Sequence, residues 1–110
     1  MSGKVMSVKA EVSPRAELLD EAKELVTGSR NNEYGPPDAD FTRTAAMLTA
    51  LGFTFNGDRI HGHHVGLAMI CLKLSRAAWY PGKRDTLTDI AGYAACTREC
   101  VVLDPEVDTD

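Results

Sequence analysis

The apolar positions of this chain fall into four segments with a helical period. In the first, Ser13-Pro14 is a start signal, with Ser13 as N-cap and Pro14 at the first helical position. Leu18, Leu19, Ala22, Leu25 and Val26 follow at helical spacing, and Gly28 ends the run. Asp38 starts the second segment as N-cap. Phe41, Ala45 and Leu48 give its apolar face, with Met47 and Leu51 on the flank and Gly52 as the stop. Residues 65–80 are apolar almost all round, the mark of a buried central helix. Pro81-Gly82 then breaks the chain in a tight turn. A last helix runs from Asp85 to Leu103. Leu87, Ile90, Ala91, Ala94 and Val101 face the core, and Gly92, Ala94 and Ala95 permit close approach. The pattern predicts an all-α fold, a four-helix bundle whose central buried helix is His64–Tyr80.

The connecting stretches complete the layout. Residues 1–12 are aperiodic and read as a flexible N-terminal segment, residues 13–103 as a single helical domain, and residues 104–110 as a mobile acidic tail. Between the second and third helices, Asn56-Gly57 is a turn signal, and Phe53 and Phe55 are expected to cover the end of the bundle.

Composition narrows the function classes. A chain of 110 residues suggests one domain with a thin core. A helix as apolar as 65–80 needs cover on every side, so a homodimer is expected. The net charge of -4 argues against general nucleic-acid binding. No apolar run reaches membrane-span length, so no membrane partner is expected. Three cysteines give no disulfide framework, and the N-terminus lacks a signal-peptide core; both point to the cytoplasm.

Charge within the third and fourth helices changes the picture. Lys73 and Arg76 share a face of an otherwise apolar helix, with Tyr80 one turn on. Asp85, Asp89 and Tyr93 share a face of the next. Centring the turn between Gly82 and Lys83 brings Arg76 level with Asp89, so these two are expected to pair. A long buried charge must be paired or hydrogen-bonded. The pair fits two readings: an ion pair that fixes register, or part of a polar pocket for phosphate or a metal ion.

Three other stretches carry candidate chemistry. The loop Ser29–Pro37 holds Arg30, Asn31 and Tyr34 in five positions, suited to phosphate, base edges and ring stacking; it equally suits a loop that caps the core with Tyr34. Glu21 and Glu24 form a Glu-x-x-Glu pair that can hold a divalent cation, although an acidic helix face is commonly only solvated. His61-Gly-His63-His64 lacks the i, i+4 spacing of a helical zinc pair, and no second motif completes a set. These histidines are read as capping the helix, lying on the surface or lining a pocket mouth.

Arg30-Asn31-x-x-Tyr34-Gly35, Lys73-x-x-Arg76 and Asp85-x-x-x-Asp89-Ile-Ala-Gly-Tyr93, in that order, resemble small helical domains common in phage genomes. Some of those are described as nucleotide-modification associated, and they look like distant relatives of the all-α (MazG-like) NTP pyrophosphohydrolases. The resemblance implies a nucleotide ligand and magnesium held by Glu-x-x-Glu and Glu-x-x-Asp motifs. Asp89 matches the final acid of the second motif, and Lys73 resembles the basic residue that faces phosphate. Thr86 stands where the second motif has its first acid, and Glu21 and Glu24 precede the Arg30–Gly35 loop. The expected function is therefore a phage-type protein that binds a nucleotide, a signalling or modified one included, without catalysis. Its ligand residues would be Arg30, Asn31, Tyr34, Lys73, Arg76 and Tyr93. The alternative is a Mg2+-dependent nucleoside triphosphate pyrophosphohydrolase with Glu21, Glu24, Asp85 and Asp89 at metal; a third is an interaction module with neither activity. A phage-encoded chain would work in the host-cell cytoplasm.

Overall fold

A computed structural model describes residues 13–28 and 33–109. Four helices occupy them: α1 (Pro14–Thr27), α2 (Pro37–Ala50), α3 (Gly62–Trp79) and α4 (Arg84–Leu103). No strand occurs among the described residues. The expected segment 1–12 lies outside them.

The helix ends follow local chemistry. The Ser13 hydroxyl accepts the Ala16 N–H at 3.2 Å, and Pro14 opens α1. Gly28 ends α1 in an extended conformation, not a left-handed one. A Cβ there would lie 2.7 Å from the Glu24 carbonyl oxygen, so close approach is what requires glycine. Helix α2 begins before Asp38: Pro36 is its N-cap and Pro37 its first residue, because a proline at N1 sacrifices no helical N–H. Asp38 and Asp40 then sit in the first turn, where the helix dipole favours acids. At the connector, Asn56 and Gly57 both take positive φ, and Phe55 and Asp58 exchange backbone hydrogen bonds of 2.8 and 2.9 Å. That is the mirror-image turn that Asn-Gly favours.

Helices α3 and α4 form an antiparallel hairpin that carries the bundle, with α2 packed on both and α1 on α4. The seam on α3 is Gly66, Ile70, Lys73 and Ala77, a four-three-four spacing whose members are all at least half covered. Across it, Lys73 pairs with Asp89 and Gly66 lies against Thr97 of α4. Gly66 sets the separation: a Cβ there would collide with Thr97 Oγ1 and lie 3.0 Å from Thr97 Cβ. Close approach therefore falls on Gly66, not on Ala94 and Ala95, which are exposed. A Cβ added at Gly92 would meet Val26 of α1 only at ordinary contact distance, 3.6 Å, so Gly92 does not demand closer approach.

The expectation of a buried central helix is corrected. In the single chain α3 covers only one face. Leu72 is 43% exposed, Leu74 53% and Trp79 91%. Three other helices of this length cannot wrap a fourth, so the apolar residues beyond the seam stay open. Leu87, expected in the core, is also half exposed; Thr86 and Thr88 are buried beside it instead. The core is small: Ala22, Phe41, Ala45, Ile60 and Cys100. Phe53 and Phe55 lie largely exposed, with Phe55 stacked on the His64 ring at 4.3 Å. Two residues of the expected acidic tail make ion pairs with the hairpin end and the connector. Asp104 pairs with His61, and Glu106 pairs with Arg59.

Candidate functional site

The expected Arg76–Asp89 pair does not form. Lys73 Nζ lies 2.9 Å from Asp89 Oδ2, with both side chains largely covered. The cause is angular. Lys73 belongs to the seam toward α4, whereas Arg76 lies off the Gly66–Ile70–Lys73–Ala77 line and is exposed. The Arg76 guanidinium makes no ion pair among the described residues. Equal distance from the turn places residues at one level, but facing also requires the right side of each helix.

Asp89 sits where three clefts meet. The first is apolar and is lined by Tyr34, Phe41, Gly92 and Tyr93 together with Asp40 and Asp89. Phe41 and Tyr93 stack there, with ring centroids 6.2 Å apart. The loop end beside it is pinned by Arg43, whose Nη2 donates to the Tyr34 carbonyl oxygen at 3.0 Å. The second cleft is lined by Glu21, Glu24, Arg84, Asp85, Thr88 and Asp89. The third is lined by Lys73, Arg76, Tyr80, Lys83, Asp85 and Asp89, with the exposed Trp79 at its edge.

The structure thus gathers most of the residues singled out from sequence. Glu21, Glu24, Asp85 and Asp89 border one cleft although α1 and α4 lie far apart in the chain. They do not converge on one point: Glu21 is paired with Arg84 and accepts from Thr88 Oγ1 at 3.4 Å, and Asp89 is held by Lys73. No cluster of ligand atoms tight enough for a metal ion includes them among the described residues. Tyr34 and Tyr93 share the apolar cleft; Lys73 and Arg76 share the basic one. Arg30 and Asn31 lie outside the described residues. Sequence reasoning missed Lys83 and Arg84. Both fall in the first residues after the Pro81-Gly82 turn, where a cation meets whatever approaches the end of the hairpin.

The histidines lie at the opposite end of the hairpin and line none of the three clefts. His61 and His64 close a capping box on α3: His64 Nδ1 accepts the His61 backbone N–H at 2.9 Å. His61 Nδ1 lies 2.6 Å from Asp104 Oδ2. That hydrogen bond, with one from the Glu106 N–H, holds the Asp104 carboxyl below its ordinary pKa. Burial, reinforced by His61, lowers the pKa of His63; burial, with His63 and His61, lowers that of His64. Burial also pushes the Cys100 thiol up to about 11.

An all-α hairpin bundle with an acid at the junction of basic, acidic and aromatic clefts defines a small helical domain, and its sequence relatives are of phage origin. The chain belongs to the family described as a domain of unknown function (DUF6378), whose model matches residues 17–101. It is 34% identical over 79 residues to the Gene 55 protein of Mycobacterium phage D29, covering 72% of this chain and 50% of the relative. It is 32% identical over 77 residues to the Gene 55 protein of Mycobacterium phage L5, covering 70% of this chain and 47% of the relative. The chain thus spans about half the length of the curated relatives it matches. No solved structure matches. No helix among the described residues is long and apolar enough to cross a membrane.

Proposed function

We propose that this domain binds a nucleotide, or a similar phosphate-bearing molecule, at the Asp89 junction and does not turn it over. The observation that carries this reading is the position of Asp89 on all three clefts at once. A ring entering beside Tyr34 and Tyr93 leaves its phosphates within reach of Lys73 and Arg76 across Asp89. Lys73 spends one of its three donors on Asp89, and Arg76 keeps its guanidinium fork for phosphate. A partly covered site strengthens each contact relative to open water.

Two features favour binding over catalysis. Glu21 and Asp89 are already neutralised by Arg84 and Lys73. Thr86, buried at 6% exposure, stands where the MazG-like pattern carries an acid. The second reading is a Mg2+-dependent pyrophosphohydrolase of the MazG-like kind. Magnesium needs only one or two protein carboxylates beside substrate phosphates, and Asp85 and Asp89 both face the basic cleft. In that case metal and Lys73 would offset charge as a water attacks phosphorus. Phosphate release from a nucleotide panel with Mg2+, run beside binding on the same panel, separates the two. Binding without release supports the first reading; release lost in Asp89→Asn supports the second.

The working unit in this reading is a homodimer in the host-cell cytoplasm. Leu67, Cys71, Leu74 and Ala78 lie at four-three-four spacing on the exposed side of α3, with no charge among them. A second copy of the chain, offering the same stripe, supplies the cover that the single chain lacks.

A further inference from the structure

The far end of the hairpin holds a second arrangement of chemistry. One ligating atom each from His61, His63 and Asp104 lies within 4.8 Å of the other two. His61 and His63 open α3, and Asp104 closes α4, so three ligands from two helix ends converge although 43 residues separate His61 from Asp104. We propose that these residues bind a divalent transition-metal ion, zinc or a similar borderline ion, which clamps the start of α3 to the end of α4. The site lies about 18 Å along the α3 axis from Lys73, at about 1.5 Å per residue, and is separate from the Asp89 junction.

Four observations carry the assignment. The donor set is two imidazoles and a carboxylate, which suits zinc, nickel or cobalt rather than magnesium or calcium. Three protein ligands leave one tetrahedral position for water. The ligands are oriented from behind: Asp104 Oδ1 accepts the Glu106 N–H at 2.9 Å, and Glu106 is paired with Arg59. Finally, His63 Nδ1 is fully buried and has no hydrogen-bond partner among the described residues. A buried polar atom without a partner is costly, and a bound ion is one of the few things that accounts for it. His61 Nδ1 and Asp104 Oδ2 stand 2.6 Å apart as a hydrogen bond. Ligands around a tetrahedral ion lie about 3.3 Å apart, so the pair opens by less than about 1 Å to admit it.

The test uses the full chain with any histidine tag removed, stripped with chelator. Zn2+ is titrated by calorimetry, and Co2+ is followed by its visible absorption, which reports coordination geometry. The expected result is one ion per chain, a tetrahedral Co2+ spectrum, and a thermal midpoint that rises with Zn2+ concentration. His63→Gln should weaken Zn2+ binding at least about 100-fold, beyond the range seen for outer-sphere partners. It should leave the helical signal and the metal-free midpoint unchanged, because the His63 ring nitrogen holds nothing in the fold. Asp104→Asn should weaken binding and also lower the metal-free midpoint, since it loses the His61 pair. Wild-type protein that takes up no Zn2+ at about 100-fold excess, or a His63→Gln variant that binds as tightly as wild type, overturns the proposal. Neither outcome bears on nucleotide binding at Asp89.

Discussion

Lys73 Nζ and Asp89 Oδ2 stand 2.9 Å apart across the α3–α4 seam, and this pair places the basic cleft beside the acidic one. Their side chains are 16% and 24% exposed, so the pair is stronger than a surface ion pair without being fully dry. A double-mutant cycle with Lys73→Met and Asp89→Leu, read by urea unfolding, should give a coupling of about 2 kcal/mol. The same cycle with Arg76→Met in place of Lys73→Met should be additive. Coupling to Arg76 and none to Lys73 would restore the register expected from the turn centre.

Gly66 fixes how closely the two helices approach. Gly66→Ala gains helix propensity but drives a methyl group into Thr97. The net effect should be a loss of about 1–3 kcal/mol, as for other overpacked sites. A companion Thr97→Ala, which removes the Oγ1 that the new methyl group meets, should recover part of it. A stabilised Gly66→Ala protein would mean that the seam is looser than the structure has it.

The fold was legible in the sequence where periodicity and punctuation agree. Ser13-Pro14, Gly52, Asn56-Gly57 and Pro81-Gly82 each mark a boundary by its own backbone chemistry. The burial of α3 was not legible, because hydropathy registers that a face is apolar and not whether a neighbour exists to cover it. Leu67 and Ile70 look alike in sequence, yet Leu67 is exposed and Ile70 largely covered. In the site, the helical face that joins Asp85, Asp89 and Tyr93 was visible, and so was the need for a basic partner from α3, but the partner expected was Arg76 and the one found is Lys73. The choice of Lys73 over Arg76 depends on about 60° of rotation round α3, the net angle between positions three apart at 3.6 residues per turn. The completion of the histidine cluster by Asp104 depends on the whole length of the hairpin, which no local motif encodes.

The exposed α3 stripe makes a prediction about cysteines. Cys100 is buried with its pKa raised to about 11, whereas Cys71 lies exposed on the stripe. At about pH 8, a maleimide should label Cys71 first and Cys100 only on unfolding. With a dimer through this stripe, Cys71 labelling should slow as protein concentration rises, and Leu67→Glu with Leu74→Glu should abolish that dependence. Light scattering that shows a monomer across a wide concentration range contradicts the dimer.

Acid should weaken the histidine end of the metal-free protein in two stages. The folded-state pKa values of His63 and His64 are lowered from 6.5, so below about that pH the unfolded chain binds more protons and stability falls. Asp104 is lowered from 3.8, so its contribution is present above that value and is lost as pH falls through the lower folded value. His61, Arg59 and Glu106 are the other titratable and charged groups around them. With chelator present, the thermal midpoint should drop first below about pH 6.5 and again in the Asp range. The first drop should shrink in a His63→Gln, His64→Gln double variant. An unchanged first drop would place its origin elsewhere.

A phosphate-bearing ligand at the Asp89 junction should give a heat of binding that calorimetry can read. Wild-type protein is titrated with mono-, di-, tri- and cyclic nucleotides, with and without Mg2+, beside Lys73→Ala, Arg76→Ala and Tyr34→Ala. Saturable heat is expected with at least one nucleotide, abolished in Lys73→Ala and weakened at least about tenfold in Arg76→Ala, on the scale of a lost charge-assisted hydrogen bond. Tyr34→Ala should lose about 1–3 kcal/mol, the scale of a single base stacked on an aromatic ring. The helical signal should survive in all three. No heat from any nucleotide, or undiminished heat in Lys73→Ala, contradicts the account and leaves the Lys73–Asp89 pair as a structural one.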